Sequence, residues 1–123
     1  MTMNYQSAVT LPSKALEGIE YTIHRMSFGR RIELIRRVRE LSQRQEYFQA
    51  GSTLTEKIEA TLLASEIERL YIDWGLIRVS GLLVDGEEAS KEALIERGPE
   101  RLCSEIVAAI KSECGLSEEE RKN

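Results

Sequence analysis

Residues 27–74 decide the fold, and their sequence is SFGRRIELIRRVRELSQRQEYFQAGSTLTEKIEATLLASEIERLYIDW. Ser27 can cap a first helix that runs to about Gln49, and Gly51 ends that helix. Thr53-Leu54-Thr55-Glu56 then fits a capping box, in which the threonine hydroxyl and the glutamate carboxylate each accept the other residue's backbone N–H. Because the break between the two helices is short, the stretch predicts a long antiparallel helical hairpin.

Apolar side chains recur along both helices at the three- and four-residue spacing of a helix face. The second helix has the wider apolar arc, so we expect it to lie centrally and to be covered on more than one side. We expect it to continue through Asp73-Trp74-Gly75 toward Val79, with Gly81 near its end. The apolar positions are Phe28, Ile32, Ile35, Val38, Leu41 and Phe48 in the first helix, and Ile58, Leu62, Leu63, Ile67, Leu70, Tyr71 and Trp74 in the second.

Two short strands are predicted before the helical hairpin, at Ala8–Leu11 and Ile19–His24. Pro12-Ser13 and Gly18 interrupt the segment between them, which favours a β-hairpin. An isolated two-stranded hairpin is marginally stable, so this one must pack on the helices or on further strands. Residues 1–7 are polar and are expected to form a flexible leader.

The C-terminal third is predicted to hold two further helices. Leu82-Leu83-Val84 is closed by the turn signal Asp85-Gly86, and it is either a short strand or, by preference, a buried connector. Ser90 can cap a short helix that ends at Arg97, and Pro99 fits the first position of the next helix. Gly115-Leu116 fits a Schellman ending, after which residues 117–123 form one more turn or stay mobile.

Together these segments predict a mainly α (α+β) fold: an N-terminal β-hairpin followed by about four helices, the first two forming the long antiparallel hairpin. A length of 123 residues fits one domain, which we place at residues 8–123 after the leader. The leader has no basic start and no apolar run, and no stretch approaches the roughly 20 apolar residues of a membrane span, so a cytoplasmic protein is expected.

The charge is unevenly distributed around a net value of −4. Residues 27–49 hold six arginines and three glutamates, a local charge of +3, whereas residues 85–123 hold six bases and eleven acids, a local charge of −5. Two interpretations stay open: solvated faces of opposite sign, or a surface that meets a partner.

The first helix therefore has three interpretations. Glu33 and Arg37, like Glu40 and Arg44, are four residues apart with the acid first, which favours pairing along the helix. A solvated, self-paired face is favoured, a protein-binding surface comes second and DNA binding third. A small DNA-binding or regulatory protein that uses helix 27–49 is the alternative function.

Residues suited to chemistry are few and scattered. His24 is the sole histidine and has no second ligand at metal-binding spacing. Cys103 and Cys114 fall on one predicted helix about 16 Å apart, too far for a disulfide, and are expected to pack as small apolar groups. We therefore predict no catalytic residues, no metal, no cofactor and no small-molecule substrate, and an enzyme is the least favoured class.

Three segments, in this order, resemble the small tail assembly chaperones of tailed bacteriophages and prophages. They are residues 10–31, from the β-hairpin into the first helix; residues 73–87, DWGLIRVSGLLVDGE; and residues 98–123, which begin Gly98-Pro99-Glu100-Arg101-Leu102 and end GLSEEERKN. The resemblance extends from about residue 8 to the end of the chain, and the GLSEEERKN ending is its most distinctive part.

The resemblance implies a function that composition cannot show. Proteins of this family bind the long helical tape-measure protein, keep it soluble, and help to recruit the major tail (tube) protein. They act in the bacterial cytoplasm, are absent from the mature virion, and include longer forms made by translational frameshifting. The family implies no catalytic residues. The net charge of −4 does not favour a nucleic-acid partner, the short apolar runs do not favour a membrane, and a homo-oligomer stays open.

The candidate partner-binding residues come from this chain alone. They are Arg36, Arg37 and Arg44 on the basic face, and Tyr71 and Trp74 where the second helix leaves its core. Solvation of the arginines and core packing of the two aromatic residues are the alternatives.

Overall fold

A computed structural model describes residues 1–115 of the chain. Within them it confirms the mainly helical class, the N-terminal antiparallel β-hairpin and the packing of the first two helices on each other. The helices are α1 Phe28–Gln49, α2 Leu54–Gly75, α3 Lys91–Arg97 and α4 Glu100–Glu113; the strands are β1 Ala8–Pro12, β2 Glu20–His24, β3 Leu76–Ser80, β4 Leu83–Val84 and β5 Glu87–Glu88.

The helix starts follow the predicted capping residues. The Ser27 hydroxyl accepts the backbone N–H of Arg30 at 3.3 Å, and the Ser90 hydroxyl caps α3. At α2 the capping box is complete: Thr53 Oγ1 accepts the Glu56 N–H at 3.1 Å, and Glu56 Oε1 accepts the Thr53 N–H at 3.2 Å. The Thr53 hydroxyl also donates to Glu56 Oε1 at 2.7 Å, and this hydrogen bond, followed by the one from the Thr53 N–H, lowers the pKa of the Glu56 carboxyl. The helix starts are therefore determined by local sequence.

The predicted continuation of α2 toward Val79 is wrong, because the helix ends at Gly75 and the chain passes directly into β3. β3 pairs antiparallel with β2, with Tyr21 opposite Val79, which makes a three-stranded sheet of order β1-β2-β3. Ile77 and Val79 are β-branched, which favours a strand. The edge of β2 that β1 leaves unpaired supplies the hydrogen-bond partners. For residues 76–80, pairing with β2 is thus more favourable than extending α2.

Two smaller predictions also need correction. Leu83-Val84 is a short strand, β4, and it pairs with β5 in a separate two-stranded sheet instead of forming a connector. Asp85 and Gly86 both have positive φ, 53° and 86°, as the tight hairpin turn between these strands requires. Pro99 is the N-cap of α4, one position before the predicted first helical residue. Leu116 of the predicted Schellman ending and the predicted ending 117–123 lie outside the described residues.

The main core lies where the sheet, the C-terminal end of α2 and α4 meet. Its buried members are Ile19, Tyr21, Ile23, Leu34, Tyr71, Ile72, Trp74, Leu76, Leu94, Leu102, Ile106, Val107, Ile110 and Cys114. α1 contributes only Leu34 to this buried set, so most of the α1 surface is left for other uses.

The Glu105 side chain ties the β-hairpin to α4. Its carboxylate accepts hydrogen bonds from the Ser13 hydroxyl at 2.6 Å and from the Lys14 N–H at 2.7 Å, with a longer one from the Ala15 N–H. Burial would raise the pKa of Glu105, but these three hydrogen bonds outweigh it and leave the pKa below its ordinary value. The charged form of Glu105 therefore stabilises the folded state.

We expect Glu105→Ala to lower the free energy of unfolding by about 1 kcal/mol at neutral pH, because a charged acceptor is lost. The folded-state pKa is depressed, so the stabilisation is full above the ordinary glutamate pKa of about 4.3 and is lost as pH falls through the folded value. Urea unfolding of parent and variant between pH 7 and pH 3 measures this, with Glu40→Ala, an exposed carboxylate, as the control. A constant difference across this range would contradict the role of the charge.

Candidate protein-binding surface

The three predicted arginines of α1 are all exposed, but they differ in their contacts. Arg37 forms an ion pair with Glu33 at 2.7 Å, as the spacing predicted. The corresponding pair between Glu40 and Arg44 does not form, and within residues 1–115 the side chains of Arg36 and Arg44 have no hydrogen bond or ion pair. Arg36 and Arg44 therefore carry charge that is available to a partner.

Tyr71 and Trp74 lie in the core and do not join the exposed arginines. The Arg30 guanidinium lies 4.4 Å from the centre of the Trp74 ring and also donates to the Trp74 carbonyl. The Lys111 ammonium lies 5.3 Å from the centre of the Tyr71 ring. Their burial agrees with the core-packing alternative, so we leave both aromatic residues out of the candidate surface.

An exposed apolar stripe on α1 is the feature that the sequence analysis missed. Phe28 is 86% exposed, Ile32 40% and Ile35 57%, although all three were assigned to the same apolar side as Val38, Leu41 and Phe48. Leu34, Val38 and the other covered residues lie on a different side, roughly 130° around the helix at 3.6 residues per turn. The missed signal was that the apolar residues of α1 form two stripes, and α2 covers one of them.

A second exposed stripe lies on the first half of α2. Leu54, Ile58 and Leu62 are each more than half exposed, whereas Ala60 and Leu63 on the other side of the helix are buried. Both stripes belong to the helical hairpin, and each lies on a side of its helix that points away from the buried residues. Contiguous exposed apolar residues of this kind mark protein-interaction surfaces more often than scattered single residues do.

A cavity of about 380 Å³ lies between the sheet and α4, and it offers no reactive group. Val9, Leu11, Tyr21 and Ile23 form most of its apolar wall, and the Glu105 oxygens at its rim are already hydrogen-bonded. Burial and then the charge of Glu105 raise the pKa of the Tyr21 phenol, so it stays protonated. We see no nucleophile paired with a base in this cavity.

His24 and the two cysteines are also held in unreactive forms. Burial, then the charges of Arg30 and Lys91, lower the pKa of His24, which keeps the imidazole neutral at pH 7. Burial raises the pKa of Cys114 to about 11, and it also raises that of Cys103. Neither thiol is a thiolate at neutral pH. No group of three His, Cys, Asp or Glu residues suited to a metal ion occurs in the described part of the chain.

None of the helices described up to residue 115 has the length and hydropathy needed to cross a bilayer. No protein-family model, curated protein or solved structure matches this chain.

Substitutions on the two sides of α1 should differ sharply in their effect on stability. Leu34→Ala, on the covered side, is expected to cost about 2 to 5 kcal/mol because it leaves a cavity in the core. Ile35→Ser, on the exposed stripe, is expected to change stability by less than about 0.5 kcal/mol. Urea unfolding followed by circular dichroism measures both, and equal losses would show that the Ile35 stripe is covered in solution.

Proposed function

We propose that this chain is a non-enzymatic assembly chaperone of phage tails, which binds the tape-measure protein and helps to recruit the major tail protein. The observation that carries the proposal is the pair of exposed apolar stripes on the helical hairpin. The resemblance of residues 10–31, 73–87 and 98–123 to tail assembly chaperones gives the class of partner. The unreactive state of His24 and of the two cysteines supports a binding role over an enzymatic one.

These stripes suit the physical task of such a chaperone. A tape-measure protein exposes apolar helix faces until the tail tube encloses it, and such faces aggregate in water. An exposed helical stripe can cover them by the helix-packing mode of peptide recognition. Each side chain such as Phe28 or Ile35 contributes roughly 1.5 to 3 kcal/mol when it passes from full exposure to full burial, so a few contacts hold a helix reversibly.

Recruitment of tail-tube subunits needs a second surface. β1 lies at one edge of the three-stranded sheet, and an edge strand can pair with a strand of another chain. A tape-measure helix on the helical hairpin and a tube subunit on β1 would be held by different parts of one molecule. On this proposal the chain works in the host cytoplasm and leaves before the virion matures.

Co-expression with the tape-measure protein of the same phage or prophage tests the proposal. We expect the soluble fraction of the tape-measure protein to rise several-fold when this chain is present. The variant Ile32→Ser/Ile35→Ser/Ile58→Ser/Leu62→Ser, polar along both stripes, should lose the effect. Leu83→Ser, an exposed apolar residue on the β4–β5 hairpin, should keep it. Equal solubility with and without the chain would contradict the proposed function.

A further inference from the structure

We infer that the outer face of α1 receives an amphipathic helix whose apolar stripe is bordered by acidic side chains. We call this surface the basic–apolar face and define it by Phe28, Ile32, Ile35, Arg36 and Arg39. The inference rests on the proposed function, because it names the kind of tape-measure segment that the chaperone would hold.

The apolar part of this face has the geometry of a helix-docking stripe. Phe28, Ile32 and Ile35 are spaced i, i+4 and i+7, and they span about 10 Å along the helix at 1.5 Å per residue. Helical partners are recognised through anchor residues at this spacing. All three side chains have large exposed fractions, so docking would remove apolar surface that the fold leaves in water.

The border of the stripe is positively charged. Arg36 follows Ile32 by four residues and Arg39 follows Ile35 by four residues, so each arginine lies beside an apolar anchor. Both arginines are exposed, and neither forms an ion pair or hydrogen bond with any residue up to Gly115.

The neighbouring charges do not pair with this border: Glu40, four residues after Arg36, forms no ion pair with any residue up to Gly115. Arg31 is engaged elsewhere, since its guanidinium donates to the Cys114 carbonyl at 3.0 Å. Glu33 is paired with Arg37 on another side of α1. Carboxylates on the partner are therefore the complement to Arg36 and Arg39, and such pairs determine specificity and orientation more than affinity.

The exposed stripe of α2 does not fit the same partner. Ile58 and Leu62 are bordered by Glu59 and Glu66 as well as by Lys57, so carboxylates on a docking helix would meet acids there. The two stripes thus have similar apolar content but different charge, and α2 supplies an internal control for the charge preference.

Two synthetic peptides of about 20 residues provide the probe, since a helix of that length spans the face. Both carry the same Leu/Ile stripe at i, i+4 and i+7; one has Glu and the other Lys at the bordering positions. Fluorescence anisotropy with the full chain at low salt measures their affinities. We expect the Glu-bordered peptide to bind at least tenfold more tightly, with the preference declining as salt is raised.

Two variants and one control locate the binding. Arg36→Glu/Arg39→Glu should abolish or reverse the preference between the peptides, and Ile32→Ser/Ile35→Ser should weaken binding of both. Lys57→Glu, a matched charge reversal on α2, should change neither. Circular dichroism and thermal unfolding of each variant establish that the altered residues, all exposed, leave the fold intact.

Several results would overturn the inference. These are equal affinities for the two peptides, a preference that survives the double charge reversal at Arg36 and Arg39, and tighter binding of duplex DNA than of either peptide. A fourth is concentration-dependent self-association in sedimentation that the charge reversal removes, because the face would then receive a second copy of this chain.

The inference and the proposed function can fail separately. If the Glu-bordered peptide is preferred but the chain does not solubilise the tape-measure protein, the docking face stands and the proposed function falls. If the tape-measure protein is solubilised equally well by the Arg36→Glu/Arg39→Glu variant, the proposed function stands and this docking face is wrong.

Discussion

The fold depends on the junction at which α2 ends and β3 begins without a loop. The last carbonyl groups of a helix lack intrahelical hydrogen-bond donors, and here two cationic side chains donate to them. Arg30 donates to the Trp74 carbonyl while stacking on its ring, and the Lys91 ammonium donates to the Asp73 carbonyl at 3.0 Å. At Gly75 an added Cβ would lie 2.8 Å from the Ile110 side chain, so only glycine permits this approach of α4. The helical hairpin, the sheet, α3 and α4 are joined here.

This arrangement leaves much of the helical hairpin free for binding. The buried core is concentrated at the Trp74 end of α2, and α1 contributes only Leu34 to it. The exposed apolar residues of the two stripes do not contribute to that core, so their exposure has little use in the isolated chain. A protein that holds another helix needs this combination of an anchored end and open apolar faces.

Local signals in the sequence were sufficient for most of the elements. The caps at Ser27, Thr53 and Ser90 act within one turn, and so they could be predicted without a fold. The change from helix to strand after Gly75 could not, because β3 exists only where β2 pairs with it. For the same reason, spacing alone did not show which apolar side of α1 would be covered: the position of α2 decides that.

The central claim is that the outer side of α1 binds a partner while its inner side packs on the core that α4 helps to form. Hydrogen–deuterium exchange of the full chain, with and without the co-expressed tape-measure protein, tests it most directly. Slower exchange in residues 28–39 of the complex, with residues 100–113 unchanged, is the predicted result. Protection confined to residues 100–113, or no change anywhere in the hairpin, would contradict the account.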